Sequence, residues 1–389
     1  MLRTLSVVAL AAALSTPAVA QNNSLVSPAA GNIDVVPLAE DLDHPWGMAV
    51  LPNGDLLFSE RSGALRVLRL SGDSSVSKPL AGVPAVYARG QGGLLDVALS
   101  PAFADDGLVY LSYAEGDTEG LAGTALGRGR LVIGEAPEGQ SDKYAGDYRL
   151  EGFAKVFTQE PKVSGPNHFG SRIVFHPDGT LLFTLAERFK FDPAQDLGSH
   201  LGKVVRINPD GSVPADNPFV DTAGARPEVY SYGHRNIQAA ALEPGTDRLW
   251  VAEFGPLGGD ELNLVEAGVN YGWPLVSWGD EYDGTPRARP DTRPDLRDAA
   301  TWWTPTISPS GMAFYTGELF PAWRGSAMIG GLTASGIVRV VVRPDGSAEE
   351  VERLPLMARV RDVEQGPGGE VYVLTDADDG KVLVLRPLE

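Results

Sequence analysis

The chain has 389 residues and a formal net charge of -19, from 32 basic and 51 acidic side chains. That balance argues against nucleic acid or an anionic membrane as partner, because either would need Lys and Arg to neutralise phosphates. The complete lack of Cys excludes disulfides, thiolate metal sites and cysteine nucleophiles, leaving oxygen ligands and His for any metal chemistry.

At the N-terminus, Met1-Leu2-Arg3-Thr4 is followed by apolar Val7, Val8, Leu10, Ala11 and Leu14 and then by Thr16-Pro17-Ala18-Val19-Ala20. A basic start, a short apolar core and a small-residue end predict a secretory signal peptide over residues 1–20, cleaved after Ala20. The apolar core is too short to span a bilayer, and no later segment reaches about 18 uninterrupted apolar residues. Residues 21–389 are therefore expected to form one exported domain, periplasmic or secreted.

Within that domain a pattern recurs. Met48 to Phe58 holds two apolar runs around Asn53-Gly54, and Ile173 to Phe183 holds two around Asp178-Gly179. Asn-Gly and Asp-Gly between such runs predict β-hairpins. Weaker copies lie at Val97 to Tyr110, Ala239 to Val251, Met312 to Ile329 and Val363 to Leu374. Six units spaced about 50 to 75 residues apart predict a six-bladed β-propeller of four-stranded antiparallel blades. The 46 Gly and 30 Pro suit a turn-rich all-β chain, and 43% hydrophobic residues suffice for a large core. Three longer stretches, Glu115 to Glu160, Pro209 to Pro227 and Trp278 to Trp303, are expected to be loops that roof one face.

Polar motifs stand just before several of these units. Gln91, within Gly90-Gln91-Gly92-Gly93, precedes the second; the glycines permit either a tight turn or close approach of a ligand. His168, after Pro166-Asn167, precedes the third and suits a general base, although a lone loop His is more often a capping residue. Arg235 and Asn236 precede the fourth, offering a guanidinium fork and an amide, or else an inter-blade ion pair. Arg359 and Arg361 precede the sixth, two residues apart and so on one side of an extended segment, where they need a shared anion or acidic neighbours. Equivalent positions in a propeller converge around the axis, so these weak signals combine into one site.

The stretch from Glu253 to Trp273 adds a different chemistry. Gly255, Pro256, Gly258 and Gly259 stand beside the carboxylates of Asp260 and Glu261, so bare carbonyls and anionic oxygens are expected to converge on one point, as calcium requires. A glycine-rich turn with solvated acids is the plainer alternative.

Taken together, Gln91-Gly92-Gly93-Leu94-Leu95, Asn167-His168, Gly233-His234-Arg235-Asn236, Glu253 to Trp273 and Arg359-Val360-Arg361-Asp362 resemble the soluble aldose sugar dehydrogenases, six-bladed propellers that use pyrroloquinoline quinone (PQQ) and calcium. The resemblance spans essentially the whole mature chain. It implies that His168 takes the proton from the anomeric hydroxyl of an aldose while hydride passes to the quinone, giving the lactone and leaving electrons for an external acceptor. It places Gln91, Arg235 and Asn236 around the reacting carbonyl and substrate, Arg359 and Arg361 on the cofactor's carboxylates, and Tyr282 against the quinone. It assigns the carbonyls of Gly255 and Pro256 to the cofactor's calcium, Glu261 and the carbonyl of Tyr271 to a further calcium, and Trp302 to the sugar entrance. A monomer or homodimer is expected.

Two positions depart from the family pattern. Some relatives carry a Lys where this chain reads Leu332-Thr333-Ala334-Ser335-Gly336, which shifts cofactor binding toward the two Arg residues and the backbone of Thr333, Ala334 and Ser335. Glu187 stands where an Asp is usual beyond the catalytic His, with a longer reach to orient His168 at the substrate side. Because fold alone does not assign chemistry, a calcium-dependent propeller lactonase or hydrolase and a non-catalytic glycan-binding propeller remain alternatives at this stage.

Overall fold

A computed structural model describes residues 24–72, 74–133 and 148–388. The expected signal peptide lies outside the described residues. Six antiparallel sheets follow one another along the chain. Pro45–Val50, Leu56–Glu60, Leu65–Arg69 and Ser75–Val76 form blade 1. Blades 2 to 5 open on Leu94–Leu99, Ile173–Phe175, Ile237–Leu242 and Pro309–Phe314 and contain four strands each. In blade 6, Val360–Gln365, Val371–Thr375 and Gly380–Pro387 are completed by Gly31–Leu42 and Ser24–Ser27 from the other end of the chain. That exchange closes the ring and pairs an edge that would otherwise lie open.

Turn chemistry positions the hairpins. Gly54 and Gly179 adopt φ of 87° and 88°, which the tight turns at Asn53-Gly54 and Asp178-Gly179 require and a side chain would strain. Opening strands of neighbouring blades touch one another around the axis, and the apolar core lies between successive blades. Between the opening strands lies a buried ion cluster. Arg172 bridges Asp96 and Asp362 at 2.9 Å each and stacks over Trp46 at 4.3 Å. Burial pushes the Asp362 carboxyl up to about 6 despite the opposing charge of Arg172.

The expectation of a loop from Glu115 to Glu160 is corrected. Ala122–Ile133 and Tyr148–Thr158 are the two outer strands of blade 2, with residues 134–147 outside the described set. Gly127 and Gly129 break the apolar alternation that marks a strand. They are there for packing: a Cβ on Gly127 would lie 2.4 Å from the Phe153 ring, and one on Gly129 2.9 Å from Leu150. Residues 209–227 pack along blade 3, hydrogen bonding to Leu197 and Arg206, whereas the excursion after Val265 climbs beside Tyr232 and Gly233 to the site described next.

Candidate functional site

In an antiparallel blade the start of the first strand and the end of the second lie at the same end. Gln91, His168, Arg235 and Arg359 come from the former; Glu187, Glu253, Ser335 and Asp376 come from the latter. His168 is buried and holds φ of 55°, a conformation fixed by its backbone N–H donating to Gln91 Oε1 at 2.8 Å. Its Nδ1 lies 2.6 Å from Glu187 Oε1. Glu187 is fully buried and also accepts the backbone N–H groups of Lys190 and Phe191. Burial opposes its ionisation, but the hydrogen bond and charge of His168 outweigh it and hold the carboxyl below its ordinary value. An ionised carboxylate only accepts, so Nδ1 carries the proton and Nε2 keeps its lone pair. Burial, together with the charges of Arg235 and Arg188, holds the His168 pKa below its ordinary value against the pull of Glu187. The imidazole is therefore neutral at neutral pH, with Nε2 free to accept a proton.

The other polar residues fall into two neighbouring hydrogen-bonded groups. The Glu187 backbone N–H donates to Arg235 O at 3.0 Å, and Asn236 Oδ1 accepts from Gly170 N–H at 3.3 Å. Arg235 donates to the Tyr282 hydroxyl at 3.0 Å, although Tyr282 itself is 62% exposed. Two residues beyond Asn236, Gln238 Oε1 accepts from Arg361 at 2.8 Å. Arg361 in turn meets Asp376 at 2.5 Å, and Arg359 reaches the same carboxylate oxygen at 3.4 Å. Arg361 is buried whereas the Arg359 side chain is half exposed, because a bulge follows Val360. Arg235 and Arg361 each bury an Nε–H without a partner among the described residues, an orphaned donor that favours an added anionic oxygen.

Around Glu253 to Trp273 one expectation is corrected. Asp260 and Glu261 do not converge, since neighbours on a strand point to opposite sides. Asp260 accepts from Gly255 N–H at 2.8 Å and Ser308 N–H at 2.6 Å, bracing two loops, and burial raises its pKa to about 6. Glu261 instead shares Asn263 Nδ2 with Glu253, whose carboxylate also meets His234 at 2.9 Å. Burial, then the charge of Glu253, drives the Glu261 pKa well above its ordinary value. These carboxylates and Tyr271 border a void of about 10 Å³ that Gly255 also lines, and Asn263 Oδ1 is buried without a partner among the described residues. A hard cation would relieve both carboxylates there.

Gly255 also borders a second cavity of about 570 Å³, lined by Pro256, Asp260, Tyr282, Thr306 and Ser308. A Cβ on Gly255 would fall 2.2 Å from the Gly258 carbonyl, so only Gly fits that turn. No group of three or more His, Cys, Asp or Glu side chains suited to a metal occurs among the described residues, so a cation here would draw on backbone carbonyls. Thr333 Oγ1 donates to Thr306 O and meets Ser308 Oγ, each at 3.0 Å, while Ala334 and Ser335 complete the same turn. Trp302 lies further out, on the last strand of blade 4, stacked 3.9 Å from Trp278. Asp376, Glu253 and Phe189, whose ring lies 5.1 Å from His168, went unassigned in the sequence, where nothing but Glu253's place at the head of its motif singles them out.

Residues 42–384 match the family model described as "Glucose / Sorbosone dehydrogenase". The chain is 42% identical to aldose sugar dehydrogenase YliI of Escherichia coli, over 93% of this chain and 94% of that one. Among solved structures, the soluble aldose sugar dehydrogenase of Escherichia coli in its apo form superposes with a TM-score of 0.84 at 41% identity, covering 92% of this chain and all of that one. The PQQ-bound aldose sugar dehydrogenase of Streptomyces coelicolor superposes with a TM-score of 0.73 at 30% identity, covering 92% and 99%.

Proposed function

The chain belongs to the glucose/sorbosone dehydrogenase family, and from that premise we propose that it oxidises aldose sugars at C1 to the lactone, using PQQ and calcium and passing electrons to an external acceptor. The observation that carries this reading is the buried His168–Glu187 pair, 2.6 Å apart, beside Gln91 and Arg235. When bound, PQQ supplies a two-electron acceptor and calcium a Lewis acid that polarises it. His168 Nε2 takes the proton of the anomeric hydroxyl, and Glu187 holds the ring and stabilises the imidazolium that results. Arg235, Arg359 and Arg361 counter the cofactor's carboxylates, which an acidic protein would otherwise repel. Asn236 and the turn at Thr333, Ala334 and Ser335 complete the cofactor's surroundings, with Tyr282 at its edge. Carbonyls of Gly255 and Pro256 would hold the cofactor's calcium; Glu261 and the Tyr271 carbonyl would hold another. The predicted signal peptide supports action in the periplasm or outside the cell.

Reconstitution tests the reading. Protein stripped of quinone and metal is expected to reduce an artificial dye with aldoses only after both PQQ and calcium are added. Lactone cleavage that depends on calcium and ignores PQQ would replace it with a hydrolase. A second expectation concerns Glu187→Gln, which keeps the side chain's size but not its charge. Turnover should fall roughly 10- to 1000-fold. Because the carboxylate raises the His168 pKa, the acid limb of the pH profile should also move to lower pH. A limb that stays in place would show that Glu187 serves packing alone.

A further inference from the structure

We propose that Phe189 is the aromatic platform against which the sugar ring is held, making the enzyme selective for aldoses in their pyranose form. The proposal rests on the aldose reading above. Phe189 is 38% exposed, whereas Phe169 and Phe183 of the same blade region are buried. Its ring stands edge to face with the His168 imidazole, with centroids 5.1 Å apart and planes at 81°. Behind it Phe191 follows at 5.2 Å and leans on Trp273 at 5.7 Å, which carries the Arg235 guanidinium at 5.1 Å. A continuous aromatic wall thus runs from the proposed base to Arg235, and Phe189 is its exposed end.

The backbone supports this presentation at some cost. Arg188, Phe189 and Phe191 have φ of 59°, 58° and 63°, values that side chains rarely adopt and that persist only where surrounding contacts enforce them. Those contacts are present. Arg188 donates to the carbonyls of Asn167, Ala122 and Gly165, and Glu187 accepts from Lys190 and Phe191 N–H. Lys203, fully buried, donates to the carbonyls of Pro193, Ala194 and Leu201 at 2.9, 3.0 and 2.6 Å. These buried polar groups hold the loop so that the partly exposed Phe189 ring stands beside His168, with an open face that a ligand at the base would cover. A pyranose fits that role: its axial C–H groups form an apolar face for the ring, while its hydroxyls meet Gln91, Arg235 and Asn236 at the polar margin. An acyclic aldehyde hydrate has no such face.

The test compares the parent holoenzyme with Phe189→Ala and Phe189→Tyr. Binding of 1,5-anhydroglucitol, a pyranose without an anomeric hydroxyl, is measured by calorimetry, and kcat/KM is measured for glucose and for glyceraldehyde. The Ala variant is expected to bind 1,5-anhydroglucitol about tenfold more weakly and to lose about tenfold in the glucose-to-glyceraldehyde ratio, through KM. The Tyr variant should retain both. Unchanged 1,5-anhydroglucitol affinity in Phe189→Ala would overturn the proposal. So would an equal loss on both substrates accompanied by a shifted acid limb, which would mean that Phe189 acts on His168 instead. If the parent oxidises no aldose, the aldose reading fails, and the calorimetric comparison still decides whether Phe189 holds a pyranose.

Discussion

His168→Ala is expected to lower kcat by about 10²- to 10⁴-fold while the protein still takes up PQQ, because the imidazole is needed only as the proton moves. The substitution leaves Glu187 buried without its ring partner, but two backbone N–H groups still hold that carboxylate, so the fold should survive. Cofactor content by absorbance and melting temperature separate lost chemistry from lost structure. In the parent, the sign of the pH dependence follows from the depressed His168 pKa. The base is active when neutral, so activity should persist as pH falls through about 6.5, the ordinary His value, and drop only below it. Parental turnover in the Ala variant, or an acid limb above the ordinary value, would remove His168 from the role of base.

The second large effect is expected at Arg359 and Arg361. Removing both should weaken PQQ retention by roughly 10²-fold or more, since each charge-assisted bond contributes about 1.5 to 3 kcal/mol. The single variants should differ in kind. Arg359 is half exposed and meets Asp376 at 3.4 Å, so Arg359→Ala should change cofactor affinity with little effect on melting. Arg361 is buried with its 2.5 Å partner Asp376, and losing it leaves that carboxylate with His44 and a loosely held Arg359. A cost near 3 kcal/mol follows from breaking one side of a buried pair. Burial opposes ionisation of Asp376, but Arg361 and His44 hold its pKa well below the ordinary range. A depressed acid stabilises the fold above its unfolded pKa and stops doing so as pH falls through the folded one. Arg361→Ala should therefore narrow the stability gap to the parent in strong acid. Unchanged PQQ affinity in the double variant would reject the cofactor role.

Much of this was legible in the residues because it is local. Asn53-Gly54 and Asp178-Gly179 announce hairpins through φ angles that few other residues accept, and six such units imply a ring. His168, Arg235 and Arg361 stand out in the sequence because each stands just before its repeat unit. Asp260 and Glu261 misled because adjacency in sequence is not adjacency on a strand. Blade 2's outer strands read as a loop because their glycines answer to Phe153 and Leu150 lying across them, a packing demand that alternation does not record.

By itself, then, the sequence determined the repeat, the turn positions and the kinds of side chain at the strand starts, all set by steric preferences over a few residues. Tertiary structure alone decided that Asp376 meets two arginines, that Glu253 faces Glu261 and that Phe189 stands beside His168, and it set the Glu187–His168 contact at 2.6 Å. Those meetings are made within single blades, where the antiparallel register of neighbouring strands brings one strand's end beside the next one's start and sets burial. Burial and the partners beside each group together decide which carboxylates ionise, with Glu187 and Asp376 held low and Glu261 driven up, and burial holds the His168 imidazole neutral.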